Sequence, residues 1–158
     1  MMKQEKTNVM RILDMHKIKY NSYSYVGTDA ISGVEVAKAL NQNESQVFKT
    51  LVTVGHSKEN YVFVIPVAKE LDLKKAAKAV GEKNIEMIKQ KDLLSLTGYI
   101  HGGCSPIGMK KFFKTTIDIQ AKNFEHIIFS AGKIGYQVEV SIEDLKSVID
   151  FQMEDICV

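Results

Sequence analysis

Two apolar runs separated by a short polar segment set the first constraint on this fold. Val47 to Val54 is rich in β-branched residues, Gly55-His56-Ser57-Lys58-Glu59-Asn60 is polar, and Tyr61 to Pro66 is apolar again. Runs of this kind around a short glycine-containing connection predict an antiparallel pair of strands. The first strand has one face of Val47, Lys49, Leu51 and Thr53 and another of Phe48, Thr50, Val52 and Val54. Lys49 therefore shares a mostly apolar face, where an ammonium is costly unless it reaches water or an anion. Two readings stay open from the strand alone. Lys49 is an edge lysine that blunts aggregation, or it is a cation aimed at a ligand's phosphate.

The remaining segments build around this pair. Val9, Ile12, Leu13 and His16 recur at helical spacing, which predicts an amphipathic helix over about 4–16. Tyr20 to Tyr25 alternates and predicts a strand, with Tyr23 and Tyr25 on one face. Ser32-Gly33-Val34-Glu35 has the form of a capping box opening a helix that runs to about Leu40. Asp72 starts a helix with Leu73, Ala76, Ala77 and Val80 inward, and Gly81 stops it. Ile85 to Met87 reads as a short strand, and Asp92 begins a brief helix ending near Gly98. Thr115 to Ile119, His126 to Phe129 and Tyr136 to Val140 alternate as strands. Ser141 then caps a last helix with Ile142, Leu145, Val148 and Ile149 inward. This order is neither strictly βαβ nor all-β. It predicts one α+β domain over 1–158, with a mixed, strongly twisted or barrel-like sheet and flanking helices.

Composition narrows the function classes. The chain has 158 residues, 45% hydrophobic and 25% charged, which suits one domain with a sizeable core. No apolar run is long enough to span a bilayer, and the N-terminal stretch lacks the apolar centre of a signal peptide. A cytoplasmic protein without a membrane partner is the expectation. Of the 21 basic residues only Arg11 is arginine, so sequence-specific reading of duplex base edges is a poor fit. There is no GxxxxGK[ST], no GxGxxG after a strand, no HExxH and no CxxC pair. No metal site and no cofactor are expected.

The second informative stretch is Tyr99-Ile100-His101-Gly102-Gly103-Cys104-Ser105-Pro106-Ile107-Gly108-Met109-Lys110-Lys111. Adjacent glycines permit tight backbone and close approach of a ligand to the main chain, and Pro106 keeps Ser105 out of a helix. It reads as a structural crossover or as a binding loop. Cys104 with His101 three residues away allows a Cys-His hydrolase, although closeness in sequence does not make a catalytic pair. The alternative chemistry uses Gly-Gly amides as donors to a carbonyl or oxyanion, with Lys49 and one of Lys110 or Lys111 on a phosphate. Such a site positions an ester for attack by water or by the substrate's own nucleophile.

Three segments together resemble the YbaK/EbsC family of aminoacyl-tRNA deacylases, relatives of the editing domain of bacterial prolyl-tRNA synthetases. They are Val47-Phe48-Lys49-Thr50-Leu51, then Val67-Ala68 with Leu71 to Ala79, then Thr97-Gly98-Tyr99 followed by Gly102 to Lys111. Ser130-Ala131-Gly132-Lys133 with Gly135 continues the likeness, which runs in one unbroken order from about Val9 to Ile149. The resemblance implies a free-standing trans-editing enzyme that cleaves the ester of a mischarged tRNA, with cysteine on tRNA(Pro) or tRNA(Cys) as the substrate class. There the cysteine thiol attacks its own carbonyl. Sister branches clear alanine and other small amino acids, and a non-catalytic module binding tRNA or a synthetase is the further alternative. By the same resemblance, Lys49, Gly102 and Gly103 are the catalytic positions. Lys49 holds the terminal adenosine or its phosphate, and the loop amides orient the carbonyl. Tyr23, Thr50, Ser105, Pro106, Ser130 and Gly132 bind substrate. The implied partners are the 3′ end of aminoacyl-tRNA and prolyl-tRNA synthetase; the oligomeric state is not implied. Cys104, Gln137 and Ser32 depart from relatives that carry an aliphatic, an aspartate and an aromatic residue there.

Overall fold

The computed structural model describes residues 6–158. Its elements in chain order are α1 (Asn8–Met15), β1 (Asn21–Ser24), α2 (Gly33–Ala39), β2 (Phe48–Gly55), β3 (Asn60–Pro66), α3 (Leu73–Val80), β4 (Ile85–Met87), α4 (Gln90–Thr97), β5 (Lys114–Asp118), β6 (His126–Ser130), β7 (Tyr136–Ser141), α5 (Ile142–Leu145) and β8 (Gln152–Glu154), with a 3-10 turn at Ile119–Asn123. Local chemistry accounts for most of the boundaries. The Thr7 hydroxyl accepts from Met10 N–H, which starts α1 later than the spacing predicts; residues 4 and 5 of that expected helix lie outside the described residues. Ser32 and Glu35 form the expected capping box on α2. Asp72 accepts from the N–H groups of Lys74 and Lys75, and Gly81 closes α3 in a left-handed conformation. Asp92 is not the cap of α4; the helix opens one turn earlier, after Lys89, without a side-chain cap.

The strands form two sheets. One has the order β1-β7-β6 and is antiparallel; the other has the order β4-β2-β3-β5-β8 and is mixed. The β2–β3 hairpin is antiparallel, with Lys49 opposite Ile65 and Thr50 opposite Val64, whereas β3–β5 and β5–β8 are parallel. Among the described residues, backbone pairing between the sheets is confined to an isolated parallel bridge, Val47 to Ile128, and no closed barrel results. Gln46 fastens this bridge from both ends. Its C=O accepts from Ile128 N–H at 3.0 Å, and its side-chain amide donates to His126 C=O at 2.9 Å.

The main core lies between the sheets and α1, with Val9, Leu13, Val64, Ile107, Ile117, Ile127 and Phe129 essentially inaccessible. A second cluster under α3 holds Phe63, Ile65, Ala76, Ala77 and Ile85. The last strand, β8, has no periodic pattern in the tail sequence to announce it. It is held by Asp118, a fully buried carboxylate that accepts from Gln120 N–H and Ile156 N–H, each at 3.0 Å. Two backbone donors on one carboxylate satisfy a charge that burial alone would penalise. The final helix is shorter than its periodicity predicts, though Leu145 and Ile149 are buried as expected. Among the described residues no helix is long and apolar enough to cross a membrane.

Candidate functional site

The two sheets part just beyond the Val47–Ile128 bridge, and the gap between them is a concavity of about 520 Å³. That volume falls in the range of small-ligand sites. Six consecutive residues, Val47 to Val52, line it. Consecutive strand residues point to opposite faces, so a cavity touching all of them lies along the strand's edge and not on one face. The reason is in the pairing. β4 covers β2 only at Thr53, Val54 and Gly55, with Ile88 N–H reaching Val52 C=O at 3.3 Å. Val67 N–H donates to Val47 C=O, and Gly55 N–H to Glu59 C=O. The alternation of an antiparallel ladder then turns the N–H and C=O of Thr50 away from β3, toward the gap.

Lys49 is half-buried on this open edge, and among the described residues no carboxylate lines the cleft with it. The edge-strand reading is therefore only half right: β2 is an inner strand whose first half has a free edge. Thr50 contributes a hydroxyl that is buried without a hydrogen-bond partner. Across the gap stand Ser130 and Gln137, directly opposite each other on β6 and β7. Ser130 Oγ accepts from Gly132 N–H at 3.1 Å and keeps its own proton to donate. Gln137 is buried; its carbonyl accepts from Gln42 Nε2 at 2.8 Å, which leaves its amide hydrogens for the cleft. Gly102, His101 and Cys104 close the wall from the glycine loop, and Tyr25, Ser32, Met87 and Gln90 edge it. The polar groups are thus one ammonium and several neutral donors, an arrangement that favours an electron-rich ligand such as an ester next to a phosphate.

The glycine loop divides its labour. Gly102 has φ of +88°, which only glycine adopts without strain. Gly103 is buried behind it, and a Cβ there would lie 3.1 Å from the backbone nitrogen of Ile134. Its N–H already donates to Ile100 C=O at 3.0 Å. The amide of Gly103 is therefore occupied as it stands, so the paired-amide expectation reduces to Gly102. Ser105 is fully buried and accepts from Ile107 N–H at 3.3 Å, and Pro106 faces a different concavity. Gly132, at φ +88°, packs on Tyr99 and Val9 and shapes the turn that orients Ser130.

Tyr23 is not on the cleft wall. Its hydroxyl donates to Glu139 Oε1 at 2.5 Å, and that bond, with burial second, pushes its pKa up to about 12. Tyr25, its neighbour on the strand pattern, lines the cleft instead. Of the residues expected from sequence, the structure brings Lys49, Thr50, Gly102 and Ser130 together, and sets Tyr23, Gly103, Ser105, Pro106 and Gly132 behind or beside them. Lys110 and Lys111 do not reach the cleft either. Gln137, Ser32 and Gln90 are wall residues that strand and helix periodicity alone does not single out.

The thiol of Cys104 lies in this wall, yet burial pushes its pKa from 9.0 up to about 12. A thiol so shifted supplies little thiolate at neutral pH, which speaks against the Cys-His hydrolase reading. Among the described residues no cluster of His, Cys, Asp or Glu is suited to a metal. Among the described residues the cleft thus has no carboxylate base, and its one thiol is buried and shifted away from the thiolate.

Comparison with known proteins adds an independent line. The family model of the aminoacyl-tRNA editing domain matches residues 29–148. A protein of Enterococcus faecalis provisionally named Cys-tRNA(Pro)/Cys-tRNA(Cys) deacylase EbsC is 47% identical over 154 residues, covering 97% of this chain and 94% of its own. The crystal structure of a provisionally named trans-editing enzyme for prolyl tRNA synthetase superposes with a TM-score of 0.81 at 20% identity, covering 98% of this chain and 99% of that one. The crystal structure of hypothetical protein APE2540 gives 0.85 at 19% identity, covering 95% and 99%. These two superpositions establish a shared α+β fold.

Proposed function

The chain belongs to the aminoacyl-tRNA editing domain family, and on that footing we propose that it is a trans-editing deacylase acting on Cys-tRNA(Pro) and Cys-tRNA(Cys). The observation that carries the reading is the make-up of the cleft: Lys49 and neutral donors along a free strand edge, with no carboxylate among the described lining residues and a thiol that burial shifts away from the thiolate. Lys49 neutralises the terminal phosphate or orients the adenosine. The hydroxyl of Thr50, the amide of Gln137 and the backbone of Gly102 fix the aminoacyl ester. Gly103, Ser105, Pro106 and Gly132 hold the wall from behind, and Tyr23 braces β7.

Catalysis then rests on position. With a cysteinyl ester, the substrate sulfur bonds to its own carbonyl carbon, the carbon–oxygen bond to the ribose breaks, and the thiol proton passes to the departing ribose oxygen. Water opens the resulting cyclic thioester to free cysteine. Holding the reacting atoms together supplies the rate, as in other intramolecular reactions. Within the cytoplasm, where tRNA is charged, prolyl-tRNA synthetase is the proposed partner for choosing the tRNA.

The test is a deacylation screen over Cys-, Ala- and Ser-tRNAs with the Lys49→Ala variant as control. Rapid release of cysteine from Cys-tRNA(Pro), slowed about a hundredfold in the variant, is the expected result. An intact cysteinyl ester at high enzyme concentration overturns the reading, and release of alanine alone transfers the enzyme to a sister specificity.

A further inference from the structure

A second concavity of about 220 Å³ lies on the far side of the glycine loop, lined almost wholly by apolar side chains including Ile12, Pro106, Phe113 and Val148. Cys104 lines the cleft and Pro106 lines this groove. Two residues of chain span at most about 7 Å, so the two concavities share one thin wall, with Ser105 buried inside it.

The groove's rim is unusual in charge. From Leu93 to Ile117 the chain carries no Asp or Glu, yet it places Lys110, Lys111 and Lys114 beside the groove, all exposed. Three lysines elsewhere are held by carboxylates: Lys75 by Asp155, Lys6 by Asp14 and Lys146 by Glu143. Among the described residues none of the three rim lysines has such a partner. Between them, Phe113 turns inward to 8% exposure while Phe112 stays 57% exposed on the groove. Unpaired cations around an exposed ring and an apolar hollow match single-stranded nucleic acid, which offers phosphates to the lysines and a base to the ring.

We infer that this groove takes an unpaired nucleotide of the tRNA's 3′ arm, upstream of the adenosine held in the cleft. The inference rests on the proposed deacylase reading for its choice of ligand. Phe112 stacks on the base, and Lys110, Lys111 and Lys114 hold the flanking phosphates. Affinity for tRNA then comes largely from a surface that takes no part in cleaving the ester.

Two variants test this, Phe112→Ala and the triple Lys110→Gln, Lys111→Gln, Lys114→Gln. The probes are uncharged tRNA with and without its unpaired 3′ nucleotides, followed by fluorescence anisotropy, and cysteinyl-adenosine as a minimal ester. Uncharged tRNA needs no turnover, so its binding reports on the groove even if the deacylase reading fails. Phe112→Ala is expected to weaken binding of intact tRNA about tenfold and binding of the truncated tRNA little. The triple variant is expected to flatten the dependence of log affinity on log salt by about 0.7 for each phosphate no longer neutralised. Turnover of cysteinyl-adenosine stays unchanged in both. Unaltered tRNA affinity and salt slope overturn the inference, as does a parallel fall in cysteinyl-adenosine turnover. Unaltered tRNA affinity together with a dimer mass that Phe112→Ala abolishes assigns the groove to a second copy of the chain, which also overturns it.

Discussion

The two halves of β2 are built from similar residues and do opposite things. From Thr53 to Gly55 the strand is flanked on both sides, by β3 and by β4. From Phe48 to Leu51 it is paired with β3 alone and opens on the cleft. Two threonines record the contrast. Thr53 is fully buried and donates to Tyr61 C=O at 2.9 Å, whereas the Thr50 hydroxyl is buried with no partner. A satisfied buried hydroxyl contributes to folding; an unsatisfied one costs, and is retained where a ligand completes it. The cleft exists because half of a strand is left without a second partner.

The largest effect should come from the closed half. Ile85, on the strand opposite Gly55, is 3% exposed, and Ile85→Ala is expected to cost about 2–5 kcal/mol of stability, read by denaturant unfolding. Turnover per folded molecule should hold; a fall in turnover with stability intact would dissolve the division. Next is Lys49→Ala in the open half. It should lower kcat/KM about a hundredfold, about 2.7 kcal/mol of transition-state stabilisation, while Tm stays within the scatter of surface substitutions. A comparable fall in Tm would make Lys49 a structural residue.

The two threonines give a finer test. Thr53→Val should destabilise by about 1 kcal/mol, and Thr50→Val should leave stability level or slightly raised while slowing deacylation severalfold. Equal losses of stability at both positions would erase the proposed asymmetry. The smallest effect belongs to Cys104. Its folded-state pKa, about 12, lies above its ordinary value of 9.0. The neutral thiol's contribution to stability is therefore complete below pH 9 and is lost as pH rises toward 12. Cys104→Ala should retain most activity and flatten only that alkaline fall in stability; a rate profile in which a limb near pH 8 disappears with the variant would restore the thiol to the chemistry.

What was legible in the sequence follows the range of the interactions involved. The capping box at Ser32, the Asp72 cap, the Gly81 stop and the β2–β3 hairpin depend on residues close in sequence, and each is present. The parallel pairing of β8 with β5 depends on Asp118 reaching Ile156 across the fold, which no local pattern reveals. At the site, the resemblance named Lys49 and Thr50 together, and strand alternation put them on opposite faces. Both touch the cleft because it runs along an edge, a fact set by where β4 and β6 stop. Tyr23 and Tyr25 show the same limit: they share a face by periodicity, but Glu139 engages only Tyr23.

The Gln46 clasp at the Val47–Ile128 bridge acts as the stop on a zip. Its position gauges the aperture. Each residue added to the pairing there, or removed from it, changes the opening by about 3.3 Å, the rise of a strand. A descendant of this fold can therefore resize its cleft by sliding the stop, with every wall residue left as it is.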